Sequence, residues 1–174
     1  REIKMNKNKK SISIIMLFAI INFAIITPLF SATVQVKSGS YLQLELTESI
    51  NSDDVTTGKS VNFRVTTPLI QDGKTLVSAG ATARGIVDTA DGAGILGSEG
   101  ELGISLKSVT AVDGTQIPVS ATKFVKGKNK ATTALVVGLF LCFPFLFMKG
   151  GEAELQSGSI IEAMVIGSPE ITVD

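Results

Sequence analysis

Apolar and polar residues alternate along several short stretches of this chain. The clearest are Tyr41 to Leu46 and Val61 to Val65, in which every second side chain is apolar. A period of two gives a strand one buried face and one solvated face. Similar strand-like runs cover residues 82–89, 102–111, 116–124, 160–166 and 171–173. Many short strands separated by turns predict an all-β fold, a small antiparallel β-barrel or sandwich.

The alternating strands also predict which side chains form the core. Residues 33–174 are enough for a single domain with a core of its own. We expect much of that core to come from the apolar positions Leu42, Leu44, Leu46, Val61, Phe63, Val65, Ile104 and Leu106.

Glycine marks the turns between the predicted strands. Asp72-Gly73 and Asp113-Gly114 supply the positive backbone dihedrals of a tight hairpin turn. The sequence around the second pair therefore predicts a hairpin over Val109 to Val119.

A second turn pattern recurs three times, each time directly before a strand. It is a glycine between two small residues, at Ser38-Gly39-Ser40, Ala79-Gly80-Ala81 and Ser157-Gly158-Ser159. We interpret the three copies as sharp chain reversals, because glycine tolerates the geometry and small neighbours avoid clashes.

The first 32 residues have a different pattern. A basic stretch from Met5 to Lys10 precedes an uncharged apolar run from Ile14 to Phe30, and the small residues Ser31 and Ala32 follow. This layout is typical of a secretory signal peptide, preceded here by the short upstream extension Arg1 to Lys4. Large residues lie three positions before either cleavage point, so an uncleaved anchor is the alternative. Both interpretations predict an exported protein of the periplasm or cell envelope.

Residues 131–148 form a second apolar stretch, 18 residues without a charge, between lysines on both sides. They could cross a membrane as a helix. Alternatively, they form a helical or hairpin insert, bent at Pro144, that stays with the domain and packs on it or dips into a bilayer. We favour the second interpretation, because it keeps the last strands in the same domain as the other strands. We expect membrane or partner contact at Val136, Leu139, Leu141 and Phe145.

Composition removes several classes of chemistry. The chain has no histidine and a single cysteine, Cys142, which excludes Ser-His and Cys-His nucleophile pairs and any intrachain disulfide. Five of the 16 basic and one of the 16 acidic residues lie in the first 32 positions, which leaves 11 and 15, a net charge of −4. A mildly acidic domain has no electrostatic reason to bind nucleic acid.

Gly92-Ala93-Gly94-Ile95-Leu96-Gly97 fits the spacing of a dinucleotide-binding loop. Such a loop must open a helix, whose N-terminus binds the pyrophosphate. Here further glycines and another predicted strand follow, so we interpret residues 92–103 as a flexible hairpin loop. Asp88, Asp91 and Asp113 lack the alternating ligand spacing of a calcium loop. We therefore predict neither catalytic residues nor a cofactor or metal.

Taken together, the turn and strand segments carry a family resemblance. They run from Ser38-Gly39-Ser40 with Leu42, Leu44 and Leu46, through Ile50-Asn51-Ser52-Asp53, Gly58, Phe63, Leu76 to Ala81, Gly85, Leu102 to Val109 and Asp113 to Val119, to Leu155 to Val165. This order resembles the C-terminal β-barrel domain of the TrbI-like proteins of conjugation and type IV secretion channels. It is similar also to short exported proteins that share the barrel pattern. The resemblance implies a barrel with an apolar helical insertion, at 131–148, that reaches a membrane.

These observations predict a non-enzymatic protein of the cell envelope with a structural or assembly role. Its partners would be envelope proteins, or further copies of itself met through sheet edges, with possible membrane contact through residues 131–148. The alternatives are a periplasmic module that binds a small ligand between the barrel mouth and the 92–103 loop, and a component of a conjugation or secretion channel.

Overall fold

The computed structural model describes residues 32–140 and 147–173, and for residues 137–140 it describes the backbone alone. The predicted signal segment, except for its last residue Ala32, lies outside this part of the chain, as do Leu141 and Phe145. Within it the chain forms a compact unit, Ala32–Val173. The elements are β1 (Ala32–Gln35), β2 (Tyr41–Leu46), β3 (Ile50–Asn51), β4 (Ser60–Val65), β5 (Leu69–Gln71), β6 (Lys74–Val77), β7 (Thr82–Asp91), β8 (Glu101–Thr110), β9 (Gln116–Lys126), α1 (Ala131–Phe140), β10 (Glu154–Leu155), β11 (Ile160–Val165) and β12 (Glu170–Val173).

Six of the strands form a closed antiparallel barrel in the order β11-β2-β4-β7-β8-β9. The order around the barrel follows the order along the chain, with β11 closing it between β9 and β2. The remaining strands make three two-stranded sheets, β1-β12, β3-β10 and β5-β6. The predicted all-β fold is confirmed, and of the two predicted architectures it is the barrel.

Side chains fill the barrel interior. Each of the apolar positions predicted for the core is buried, and Phe63 is among the largest side chains with almost no exposure. Its ring reaches Gly85 on the neighbouring strand, where an added Cβ would lie 3.0 Å from the ring. Barrels of eight strands are just wide enough for side chains to fill, so six strands enclose a narrower, packed core.

The two ends of the barrel are closed by different parts of the chain. At one end β7 passes into β8 through residues 92–100, and β9 leads into α1; we call this the insert end. The β3-β10 pair crosses it. At the opposite end lie β1, β12 and the β5-β6 hairpin, which meet the β8-β9 turn through Val112 and Asp113. We call this the terminal end, because Ala32 and Val173 pair there.

The three recurring glycine patterns form turns of one kind. Gly39, Gly80 and Gly158 have φ of 85°, 85° and 86°. The N–H of each glycine donates to the carbonyl of the last residue of a neighbouring strand. The N–H of that last residue donates to the carbonyl of the residue after the glycine. Gly58 repeats these two hydrogen bonds before β4 with Val87, which lies in the middle of β7. Sequence reasoning missed the fourth copy because Thr57 and Lys59, which flank that glycine, are not both small.

Both Asp-Gly pairs are hairpin turns, as predicted. Asp72 and Gly73 have φ of 51° and 76° between β5 and β6. The β8-β9 ladder pairs Val109 with Ile117 around Gly114. Asp113 also accepts hydrogen bonds from the N–H groups of Thr115 and Thr172, both at 2.9 Å, so this turn fixes β12 across the terminal end.

Replacing Phe63 by alanine should cost about 3–5 kcal/mol of unfolding free energy, because the ring is buried and a cavity would remain. Urea denaturation followed by circular dichroism measures this. Asn62→Ala, on the exposed face of the same strand, is the matched control and should change stability by less than about 0.5 kcal/mol. Equal effects of the two substitutions would contradict the packed interior.

Candidate functional site: the insert end of the barrel

The apolar insert begins as a helix, α1. The Asn129 side chain accepts a hydrogen bond from the N–H of Ala131 at 2.9 Å, which satisfies one of the free donors at a helix start. Ala134 is buried, whereas Leu135 and Val136 are 59% and 52% exposed. Ten residues make a helix of about 15 Å. Within the described residues, no helix is both long and apolar enough to cross a membrane.

Gly97 connects the two stems of the insert. Its N–H donates to the carbonyl of Met148 at 2.8 Å, and its carbonyl accepts from the N–H of Lys130 at 2.9 Å. A Cβ on Gly97 would lie 2.2 Å from the Lys130 carbonyl carbon, and φ there is 73°. Both reasons require glycine at this position. The chain entering the insert and the chain leaving it are therefore bound to one residue of the 92–100 loop.

A second layer of backbone hydrogen bonds lies beneath the first. The N–H of Gly100 donates to Gly151 at 2.9 Å, that of Gly127 to Gly100 at 2.8 Å, and that of Gly151 to Lys128 at 2.8 Å. A Cβ on Gly127 would come within 1.8 Å of the Gly151 oxygen, so the close approach excludes any other residue. The flexible loop expected from the glycine content is instead packed against both stems of the insert.

Glu152 fixes the returning stem to the barrel. Its carboxylate accepts hydrogen bonds from the Ser52 hydroxyl at 3.0 Å and the Ala93 N–H at 2.8 Å. Ser52 is buried, and its oxygen accepts in turn from the N–H of Ala153 at 3.0 Å. The Lys149 ammonium lies 3.9 Å from the same carboxylate. Three separate parts of the chain thus meet at one side chain, which we call the Glu152 latch.

The same contacts affect the acidity of the latch. The N–H of Ala93 has the largest influence, and together with the Ser52 hydroxyl and the Lys149 ammonium it holds the pKa of Glu152 below its usual value, against the opposing effect of desolvation. The carboxylate is therefore charged throughout the neutral range.

The insert end carries a group of exposed apolar side chains. They are Ile95 and Leu96 on the loop, Leu135 and Val136 on α1, and Phe147 on the returning stem. Leu96 has φ of 59°, a conformation that non-glycine residues seldom adopt. Exposed Lys128, Lys130 and Lys149 occupy the stems beside them. We call these five side chains the apolar tip. All of them belong to the loop, to α1 or to the returning stem, the three segments that the hydrogen bonds of Gly97 join.

The predicted contact residues are only partly described. Val136 is exposed on α1, as a contact residue must be. Leu139 lies on the same helix, but its side chain is outside the description. Sequence reasoning missed Ile95, Leu96 and the Glu152 latch. The available signal was the pair of large apolar residues within a loop otherwise rich in glycine.

The other charged side chains at this end have ordinary structural explanations. Lys126 pairs with both Glu99 and Glu101, and Lys149 lies 4.0 Å from Asp53, so these carboxylates are ion-paired on the surface. Among the described residues, no group of three or more potential ligands could hold a metal ion.

No protein-family model matches the chain, and no curated protein matches it either. The resemblance to TrbI-like barrel domains therefore stays a prediction.

Replacing Glu152 by alanine should loosen the insert without unfolding the barrel. The substitution removes the acceptor of the Ser52 hydroxyl and the Ala93 N–H. We expect faster amide hydrogen exchange at Ala93 and Ala153, with unchanged exchange in β4. Glu154→Ala, an exposed glutamate two residues away, is the control and should leave all three unchanged. Uniformly faster exchange across the barrel would contradict a local latch.

The latch also predicts a dependence on pH. Since the folded pKa of Glu152 is lowered, its stabilising effect is fully present above the ordinary pKa of a glutamate, which the unfolded chain has, and is lost as the pH falls through the folded pKa. The stability difference between the wild-type chain and Glu152→Gln should therefore be constant at neutral pH and shrink in acid. Urea titrations at a series of pH values measure it. A difference that grows on acidification would rule out this role.

Proposed function

We propose that this chain is an exported, non-enzymatic component of the cell envelope whose insert end is embedded in a membrane surface. The observation that supports the proposal most is the apolar tip. Large apolar side chains from a loop, a helix and a returning stem are exposed at one end of a barrel whose interior is otherwise well packed. Large apolar side chains grouped at one end of a domain mark a surface that a partner or a membrane covers.

The charges beside the tip favour a lipid surface. Lys128 and Lys130 are exposed and form no ion pair with any described residue. Lysines at the edge of an apolar surface can reach anionic headgroups while their alkyl stems stay in the apolar layer. The tip would then enter the headgroup and upper acyl region, as interfacial helices do.

The path of the chain favours an insert that dips into the membrane over one that spans it. β9 precedes the insert and β11 follows it, and both belong to the same closed barrel and pair with each other. A chain that crossed the bilayer once between them would separate the two strands. The insert therefore enters and leaves on the same side of the membrane.

The ligand-binding alternative has less support. The barrel axis is occupied by buried side chains such as Leu44 and Phe63. The 92–103 loop is committed to backbone contacts with the insert stems. A surface depression of about 220 Å³ is lined by Ser78, Ala81 and Val112, at the terminal end and far from that loop.

Export, a periplasmic location and the TrbI-like relationship remain predictions from the sequence. They agree with the proposed role, since a TrbI-like barrel would also carry its apolar insertion at this position. A role in a conjugation or secretion channel is the more specific form of the same proposal.

The proposed depth of the tip can be tested with a fluorescent probe. Cysteine replaces Leu135 in a Cys142→Ser background and carries an environment-sensitive dye, and the full chain is reconstituted into anionic vesicles. We expect blue-shifted emission and quenching by lipids that carry a spin label near the headgroup. The matched control is cysteine at Ile70, which is 57% exposed at the terminal end. Water-like emission from position 135 would refute the proposal.

A further inference from the structure

The outer wall of the barrel is divided by charge. Arg64, Arg84 and Lys107 project from three adjacent strands, β4, β7 and β8, and all three are exposed. The β4-β7 register places Thr82 opposite Arg64 and Asn62 opposite Arg84, so the two arginines are diagonal neighbours. We call these three residues the basic wall.

A β-bulge places Lys107 in this group. Arg84 pairs with Ser108 and Gly85 with Leu106, so Lys107 has no opposite residue in the β7-β8 ladder. Bulges of this kind turn a side chain away from the direction it would otherwise take. Here the bulge leaves exposed Lys107 near Arg84, between buried Leu106 and half-buried Ser108.

The basic wall lacks charge partners. None of its three residues forms an ion pair with any described residue. Asp88, the nearer of the two acidic residues further along β7, is hydrogen-bonded to Ser105. Glu45 is opposite Arg64 in the ladder, but the carboxylate and the guanidinium do not form an ion pair. Three unpaired cations on one rigid surface indicate an acidic partner.

The wall formed by β2 and β11 has the opposite character. It exposes Glu162 together with Tyr41, Ile160 and Met164, of which Tyr41 is 70% exposed. Glu162 also accepts a hydrogen bond from the Gln43 amide at 3.3 Å, and Glu45 beside it is half-buried. Tyr41 and Met164 are directly opposite each other in the ladder. Tyrosine, methionine and isoleucine around carboxylates resemble the composition of a protein interface more than that of a solvated surface. We call this the acidic wall.

We propose that two copies of this chain associate through these walls, the basic wall of one against the acidic wall of the next. The strand order β11-β2-β4-β7-β8-β9 places the β11-β2 junction three strands away from the β7-β8 junction in either direction. Arg84 and Lys107 therefore face the side of the barrel opposite the acidic wall, whereas Arg64 borders that wall, opposite Glu45 in the β2-β4 ladder. Arg84 can pair with a carboxylate, and a second cation can lie over the Tyr41 ring.

This association is head to tail. Each copy uses a different wall at each of its two contacts, so the contacts can continue from copy to copy. It also differs from edge-to-edge pairing, because the barrel strands form a closed sheet and the contact is between outer faces. The proposal does not depend on how the insert end meets a membrane.

Charge reversal tests the proposal, because two variants that each lose association should regain it when they are mixed. One variant carries Arg84→Glu and Lys107→Glu, and a second carries Glu162→Arg. Glu45 and Arg64 are left unchanged, because reversing either would place like charges opposite each other within one copy. Each variant alone should associate at least about tenfold more weakly than the wild-type chain, whereas an equimolar mixture of the two should recover association.

Sedimentation velocity of the full chain in detergent, at about 0.05 M salt so that screening is weak, provides the measurement. Lys59→Glu with Lys123→Glu is the control; it makes the same change in net charge at exposed positions outside both walls and should associate like the wild type. The chain has no tryptophan and one tyrosine, Tyr41, so tyrosine emission reports directly on the acidic wall and should change with association.

Three results would overturn the proposal. The first is a wild-type chain that stays monomeric at every concentration in low salt. The second is association that both reversal variants retain, which would assign it to the apolar tip instead. The third is a mixture of folded variants that fails to recover association. Circular dichroism of each variant establishes that it is folded.

Discussion

Closure of the barrel by β11 is the constraint on which the rest of the structure depends. This strand lies after the insert in sequence, yet it pairs with β2 near the start of the domain and with β9 directly before the insert. Those pairings bury Ala163 and Val165 in the common core. Since the strand cannot leave without opening the barrel, both ends of the insert must return to the same end of the molecule.

Glycine at the insert end solves the problem that this return creates. Three chain segments must approach closely enough for direct backbone hydrogen bonds, and Gly97, Gly100, Gly127 and Gly151 make that approach by having no side chains. The cost is the entropy of ordering flexible residues, which the hydrogen bonds and the Glu152 latch offset. The result is a hydrogen-bonded base beneath the apolar tip.

Much of the barrel could be predicted from the sequence, because period-two alternation and Asp-Gly turns are local signals. Phe63 and the hairpin around Gly114 are examples. Short strands such as β3 and β10 were missed, since two residues carry no periodicity and their pairing is set by distant contacts. The role of Gly97 was misjudged for the same reason: composition shows that a loop can be flexible, whereas the partners that immobilise it are far away in sequence.

The direct pairing of Ala32 with Val173 has a mechanical consequence. A force that pulled the two ends of the domain apart would act on the β1-β12 ladder one residue pair at a time, as a zipper opens, instead of loading all its hydrogen bonds together. The terminal end would yield first and uncover Val36 and Ile171, both fully buried. The barrel wall and the insert end would carry no load until that small sheet had separated.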